Sequence, residues 1–260
     1  MYADLDGTLV GPGGSLFAAK EGGFSTSAVE ALRSLHEAGV ALVLTSGRTR
    51  RGIGEVARVL GAVAFIAELG ALIVERDGGR EQVVHNFGAF TGDGSPAEAI
   101  LRSGAGAYLL ERFARRLEPV APWTEATLMF QGWVDPAEAD AALAEAGYGW
   151  LRFHDNGRML RRLPHLDVEE VHAMHLLPQG VDKASAVHLH RERNGIPLES
   201  AVAVGDSPSD LLVAPEVSAF FLVANGSDSV RADSAPANAY VTGGAYGEGF
   251  AEAIRAALGR

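Results

Sequence analysis

Asp4-Leu5-Asp6-Gly7-Thr8-Leu9 sets two carboxylates two residues apart, immediately before a glycine turn. A carboxylate can attack phosphorus and carry the phosphoryl group as an aspartyl phosphate. A second one, poised over the leaving group, can give and take the proton. Together such groups can hold a hard cation such as Mg²⁺, which takes oxygen ligands. Asp-Gly is also an ordinary turn signal, so this segment alone leaves a purely structural turn open. Three further segments narrow the choice. The apolar run Val40-Ala41-Leu42-Val43-Leu44 ends in Thr45-Ser46-Gly47-Arg48, a strand delivering a hydroxyl. Lys183 follows in Gly180-Val181-Asp182-Lys183-Ala184, where a helical pattern opens. Ala201-Val202-Ala203-Val204 then runs into Gly205-Asp206-Ser207-Pro208-Ser209-Asp210, a strand ending in an acidic loop.

These four segments, in this order, resemble the four motifs of the haloacid dehalogenase-like (HAD) hydrolase superfamily. Their spacing is similar to the large-cap (type IIB) branch, with its Cof-type, sugar-phosphate and mannosyl-3-phosphoglycerate phosphatases. The match covers residues 1–75 and 178–260 and is specific as a set. The resemblance implies that Asp4 is the nucleophile and Asp6 the general acid/base. It implies that Ser46, with Gly47, binds the phosphoryl oxygens and that Lys183 neutralises charge around nucleophile and phosphate. It further implies an Mg²⁺ held by Asp4, the backbone carbonyl of Asp6 and Asp206, with Asp210 in its first or second layer. Halide-displacing members of the superfamily lack the second acid, so Asp6, Asp206 and Asp210 favour phosphate ester chemistry.

The physical logic agrees. Phosphoryl transfer needs in-line positioning and stabilisation of charge on the equatorial oxygens. Asp4 cannot approach an anionic phosphate unless a cation and a lysine offset the repulsion. Lys183 and Asp206 lie far along the chain from Asp4. A parallel sheet joins such residues, because its sites form at the carboxyl ends of strands.

The elements around the motifs fit that requirement. Ser25-Thr26-Ser27 offers caps for a helix carrying Val29, Leu32 and Leu35 and closed by Gly39. A strand Val40–Thr45, a helix with Ile53, Val56, Ala57 and Leu60, and a strand Val63–Ala67 follow. This βαβαβ alternation predicts a parallel sheet with right-handed crossovers. Ala71–Val74 and Gln82–Val84, around Asp77-Gly78-Gly79, read as a hairpin. The Gly-, Ala- and Ser-rich stretch 88–106 reads as the passage into another domain. Beyond it the pattern predicts a helix near Tyr108–Leu117, a strand Thr127–Val134 and a helix Pro136–Ala146. Strands near Trp150–His154, Met159–Arg162 and Val171–Leu177 complete this part. A helix after Lys183, strands Ala201–Val204, Phe220–Val223 and Ala239–Val241, and a helix Gly249–Leu258 return to the core. The expected fold is α/β: a Rossmann-like, doubly wound parallel sheet (1–85 and 179–260) with an inserted α/β cap (86–178).

Only Met1-Tyr2-Ala3 precede Asp4, fewer apolar residues than a buried parallel strand normally brings. The expectation is a first strand that begins upstream of Met1 or has been trimmed. The 260-residue chain is 47% hydrophobic and 21% charged, ordinary for a globular protein. A formal net charge of −11 argues against nucleic-acid binding. The absence of cysteine excludes disulfides, thiolate metal sites and a cysteine nucleophile. No apolar run reaches the length of a membrane span and no signal-peptide pattern opens the chain, so the expectation is a cytoplasmic protein.

Further candidates carry two readings each. Arg48 and Arg50 fit contacts to phosphate or substrate, and equally solvated arginines at a helix start. His154, Asp155, Asn156, Arg158, Arg161 and Arg162 fall in the cap, which in this branch reads the leaving group. Asp155-Asn156-Gly157 is also a good turn, and Arg161-Arg162 an exposed strand end. His172 and His175 on a strand, and His188 and His190 on a helix, read as packed or surface residues in preference to metal ligands. Trp123, Trp133 and Trp150 read as cap core or interface. Two positions depart from the family pattern: Ser209 stands where the fourth motif often has asparagine, and Leu69-Gly70 where Asn-Gly often follows the third strand.

The functional expectation is an Mg²⁺-dependent phosphatase acting on a small phosphorylated metabolite, a sugar phosphate or glycosyl-phosphoglycerate-like compound. A phosphotransferase or phosphomutase on the same scaffold is the alternative. A non-catalytic ligand-binding protein stands behind both, because the whole chemical set is present.

Overall fold

Three short segments converge on Asp4, and the topology of one sheet explains how. The computed structural model describes residues 1–77, 79–120, 124–159, 161–229 and 236–259. Gly78, Trp123 and Leu160, which figure in the sequence expectations, lie outside the described residues. The chain divides into two compact units, Met1–Val84 with Asp182–Arg260, and His85–Val181.

The first unit opens with β1 (Tyr2–Asp4), α1 (Ser27–Glu37), β2 (Val43–Thr45), α2 (Arg50–Val59), β3 (Ala64–Ala67), β4 (Leu72–Asp77) and β5 (Arg80–His85). The second holds α3 (Pro96–Ser103), α4 (Ala105–Arg112), β6 (Leu117–Pro119), β7 (Leu128–Gly132), α5 (Pro136–Glu145), β8 (Leu151–Arg158) and β9 (His172–Pro178). The chain then returns through α6 (Lys183–Asn194), β10 (Val202–Gly205), α7 (Pro208–Leu211), β11 (Ala219–Leu222), β12 (Ala239–Val241) and α8 (Tyr246–Ala257).

The first unit's sheet runs β12-β11-β10-β1-β2-β3-β4-β5. β1 pairs in parallel with β2, Asp4 opposite Thr45, and with β10, Ala3 opposite Val204. β10 to β12 and β2 to β3 are parallel as well, and β4 turns antiparallel on β3. The winding reverses between β1 and β10, and such a switch point opens a crevice at the carboxyl ends of the strands. Apolar strand residues pack under helices: Tyr2, Val43, Ile66 and Phe220 share a buried cluster with Ala186 and Val187 of α6. β2 begins at Val43 and not at Val40. Its three residues match the three of β1, while Ala41 O accepts the Met1 amine at 2.9 Å.

The second unit's sheet is antiparallel, ordered β6-β7-β9-β8. One face packs on its helices, through Ile100, Leu109, Phe113 and Leu143 against Phe130, Phe153, Met174 and Leu176. Trp150 lies against this core, and Trp133 is half-exposed. Within the stretch 88–106, Pro96 starts α3, and left-handed Gly104 (φ 83°) separates it from α4. Three local expectations are corrected. The helix expected to reach Leu117 stops at Arg112, and Leu117 begins β6. Asp155-Asn156-Gly157 is not a hairpin turn but a bulge inside β8. The register shifts there, Gly157 has φ 102°, and its N–H donates to Asp155 Oδ1 at 2.8 Å. The strand expected over 159–162 is not formed by its described residues.

Candidate active site

β1 carries Asp4 to the carboxyl edge of the sheet, where it is almost wholly buried. The capping box of Asp182 and Ser185 starts α6 and fixes Lys183 in its first turn. From there Lys183 Nζ donates to Asp4 Oδ1 at 2.7 Å and to Asp210 Oδ1 at 2.6 Å, all three groups being buried. Asp210 is held by its other oxygen, Oδ2, which accepts from Asp206 N–H (3.2 Å), Ser207 N–H (3.1 Å) and Ser207 Oγ–H (2.6 Å). Asp206 follows β10 directly. Oxygens of Asp4, Asp206 and Asp210 lie within 4.8 Å of one another. Among the described residues this is the one group of three or more acidic or histidine ligands placed to share a cation, and none of the four histidines weighed from sequence joins it.

The electrostatics follow from burying three carboxylates with one ammonium. Burial, and then Asp210, raise the Asp4 carboxyl well above its ordinary value despite Lys183. Burial and Asp210 likewise lift Asp206 from 3.8 to about 7. Burial works against the Lys183 charge, but Asp210 and Asp4 outweigh it and raise its pKa. Asp4 Oδ2 is buried with no hydrogen-bond partner. A surplus of buried negative charge and an orphaned carboxylate oxygen fit a hard divalent cation with oxygen ligands.

Asp6 stands at the edge of this cluster, its side chain 49% exposed. Arg48 clamps it from both sides, Nε to Oδ2 at 2.7 Å and Nη2 to Oδ1 at 2.6 Å. Arg48 is positioned by the turn that follows β2, where its N–H donates to Ser46 Oγ at 3.1 Å. Ser46 is buried, and Gly47 lies in the same turn. The loop after β3 buttresses this turn: Leu69 N–H donates to Ser46 O and Glu68 N–H to Arg48 O. Glu68 and Leu69 are both left-handed (φ 51° and 59°). That conformation suits asparagine better than leucine, which gives the Leu69 departure its physical meaning. Ser209, the other departure, shares a 2.8 Å hydrogen bond with Ser207.

Thr8 and Asn225 were not singled out from sequence, yet both reach Asp206. Thr8 Oγ donates to its Oδ1 at 3.4 Å. Asn225 Nδ2 lies 3.5 Å from Oδ2 and donates to Gly7 O at 2.8 Å. Thr8 was in plain view inside the first motif, and an Asn-Gly pair just past a parallel strand was the signal for Asn225. Gly7 has φ 91°, and a Cβ there would sit 2.1 Å from Asp206 Oδ2, so this approach requires glycine.

The remaining candidates belong to the second unit. His154 lies half-buried on β8, with Arg152 Nη2 3.2 Å from its Nδ1. Arg158 pairs with Glu170 at 2.9 Å. Arg161 is exposed and adds to the positive field at Glu118.

With this geometry in hand, known proteins are informative. The haloacid dehalogenase-like hydrolase family matches residues 1–87 and 164–254. This chain belongs to that family. The phosphoglycolate phosphatase of Methanoculleus marisnigri is 30% identical over 98% of this chain and 94% of its own length. That of Methanothermobacter thermautotrophicus is 38% identical, but over 34% of this chain and 38% of the relative, so this match spans little more than a third of that protein. The crystal structure of Thermoplasma acidophilum 0175 superposes with a TM-score of 0.66, covering 99% of this chain and 96% of that one at 21% identity. It shares the fold of this HAD-like hydrolase. Among the described residues, no helix is long and apolar enough to cross a membrane.

Proposed function

We propose that this HAD-like hydrolase is an Mg²⁺-dependent phosphatase of a small phosphorylated metabolite, working through an aspartyl phosphate on Asp4. The observation that carries the reading is the buried Asp4–Lys183–Asp210 chain beside Asp206, with Asp4 Oδ2 left without a protein partner. Asp4, Asp206 and Asp210 would hold the cation, together with the Asp6 carbonyl. When bound, Mg²⁺ supplies positive charge for the carboxylates and for the phosphoryl oxygens.

In this reading an Asp4 oxygen forms a bond to phosphorus while the ester P–O bond breaks. Asp6 gives its proton to the departing alcohol oxygen. Asp6 then takes a proton from the water that attacks the aspartyl phosphate, which frees inorganic phosphate and restores Asp4. Lys183 holds Asp4 against the approaching anion, and Ser46 and the Gly47 N–H bind phosphoryl oxygens. Arg48 contacts the phosphate or keeps Asp6 aimed, and His154, Arg158 and Arg161 are proposed substrate contacts. The relatives' name makes 2-phosphoglycolate the first substrate to try, ahead of sugar phosphates.

The test is phosphate release from 2-phosphoglycolate and a panel of sugar phosphates, in Mg²⁺ and in EDTA, by wild type and Asp4→Asn. The reading expects Mg²⁺-dependent release that drops at least ~1,000-fold in Asp4→Asn, the scale seen when a catalytic nucleophile is removed. Retained activity in that variant would sink it.

A further inference from the structure

Asn225 lies on the loop after β11, outside all four motif segments, and its amide touches three separate parts of the first unit. Oδ1 accepts the N–H of Tyr246, the first residue of α8, at 2.8 Å. A backbone N–H can only donate, so this bond fixes which way the amide faces and turns Nδ2 toward the acidic cluster. There Nδ2 donates to Gly7 O at 2.8 Å, 218 residues away in sequence, and faces Asp206 Oδ2 at 3.5 Å. Gly226 lets the loop come this close, since a Cβ on it would lie 2.0 Å from the backbone oxygen of Asp206. Tyr246 is itself left-handed (φ 49°), an uncommon conformation for a bulky residue that persists only where its surroundings hold it. The loop has ties of its own: Ser227 Oγ donates to Ala224 O at 2.8 Å, and Gly226 N–H to Val223 O at 2.8 Å. Its fold therefore does not depend on the Asn225 amide alone. That amide carries no charge and no proton to transfer, so its contribution is to spacing.

We propose that Asn225 is a positioning residue for the divalent cation, holding the Asp6–Gly7 turn and Asp206 at the separation from which the Asp6 carbonyl and the Asp206 carboxylate share one ion. The inference rests on the Mg²⁺-dependent reading above and adds to it a residue from outside the four motifs. The start of α8, through Tyr246, sets the direction in which Asn225 donates.

Mg²⁺ affinity is measured without substrate, from the rise in melting temperature with Mg²⁺ concentration above an EDTA baseline. Wild type is compared with Asn225→Leu, Gly226→Ala and Ser227→Ala. Asn225→Leu removes the amide at similar size, Gly226→Ala keeps it but pushes the loop off Asp206, and Ser227→Ala cuts only the loop's own tie. The Mg²⁺ Kd should rise about 10- to 100-fold in the first two, the usual effect of losing a partner that orients metal ligands, and stay at the wild-type value in Ser227→Ala. In turnover, the Mg²⁺ concentration giving half-maximal rate should move by the same factor, with kcat at saturating Mg²⁺ close to wild type. An unchanged Kd in Asn225→Leu, or an equal loss in Ser227→Ala, overturns the proposal. Melting in EDTA shows whether each variant folds, and should Asn225→Leu not fold, Gly226→Ala decides by the same criterion. If wild type binds Mg²⁺ but releases phosphate from no ester, the phosphatase reading fails while the Kd comparison still decides the role of Asn225. If wild type binds no Mg²⁺, the proposal falls with the metal.

Discussion

Lys183 is the residue on which the acidic cluster depends for its cohesion. Its ammonium bridges Asp4 and Asp210 at 2.7 and 2.6 Å in a buried setting. Lys183→Met leaves the two carboxylates facing each other with no cation between them. Removing one partner of a buried pair costs about 3–5 kcal/mol. We expect urea unfolding in EDTA to show a loss of that size, and Mg²⁺ to restore part of it. Full stability without Mg²⁺ would mean that Lys183 does not carry the charge balance described. Asp4→Asn should behave in the opposite way, losing activity while keeping or gaining stability. Its pKa is raised, so the folded state disfavours the ionised form that asparagine removes.

At the scale of elements, the site depends on how closely the loop after β3 approaches α6. Gly70 has φ 104°, and a Cβ there would lie 2.0 Å from the backbone oxygen of Asp182, the residue before Lys183. Gly70→Ala therefore pushes the start of α6 away from the sheet and strains its own backbone. The expected cost is about 1–3 kcal/mol from the backbone conformation alone. Activity should fall further than stability, because Lys183 moves with the helix, and comparing the melting temperature with kcat reads both. If both match wild type, this close approach does not position Lys183. The motifs at strand ends were legible from sequence because apolar runs, turns and carboxylates coincide there. The left-handed Leu69 was not, since a buried leucine in that conformation is held by donating its N–H to Ser46 O, a contact that local pattern does not record. The β8 bulge escaped for a similar reason. Asp155-Asn156-Gly157 has turn chemistry, but pairing with β9 on either side keeps it in a strand.

For the molecule as a whole, titration of its buried groups shapes stability against pH. Burial, and then His154, lower the His175 pKa from 6.5 to about 3. The unfolded chain takes up this proton as pH falls below 6.5, while the folded chain resists until about pH 3. The His175 contribution to stability is thus complete above pH 6.5 and lost on the way down to 3, by up to ~1.4 kcal/mol per pH unit. Asp206, raised from 3.8 to about 7, acts with the opposite sign: its contribution is present below pH 3.8 and lost as pH rises through 7. The His175 part is therefore read as the difference between wild type and His175→Leu at fixed metal concentration. That difference should grow as the buffer moves from pH 7 to pH 4, and parallel curves would show that His175 does not resist protonation.

The sequence by itself determined the chemistry on offer: the residue types of the four motifs, their order, and an α/β alternation requiring a parallel sheet. Those properties are local, since a strand, a turn and a carboxylate are each written in a few adjacent residues. Only the tertiary structure decided which oxygens meet. Lys183 lies 179 residues from Asp4 and reaches it because β1 sits between β2 and β10 with α6 packed beneath them. The same holds for the clamp of Arg48 on Asp6, for Asn225 on Asp206, and for the unsatisfied His175. Each depends on strand register and burial, which arise from long-range packing and have no signature in any one segment.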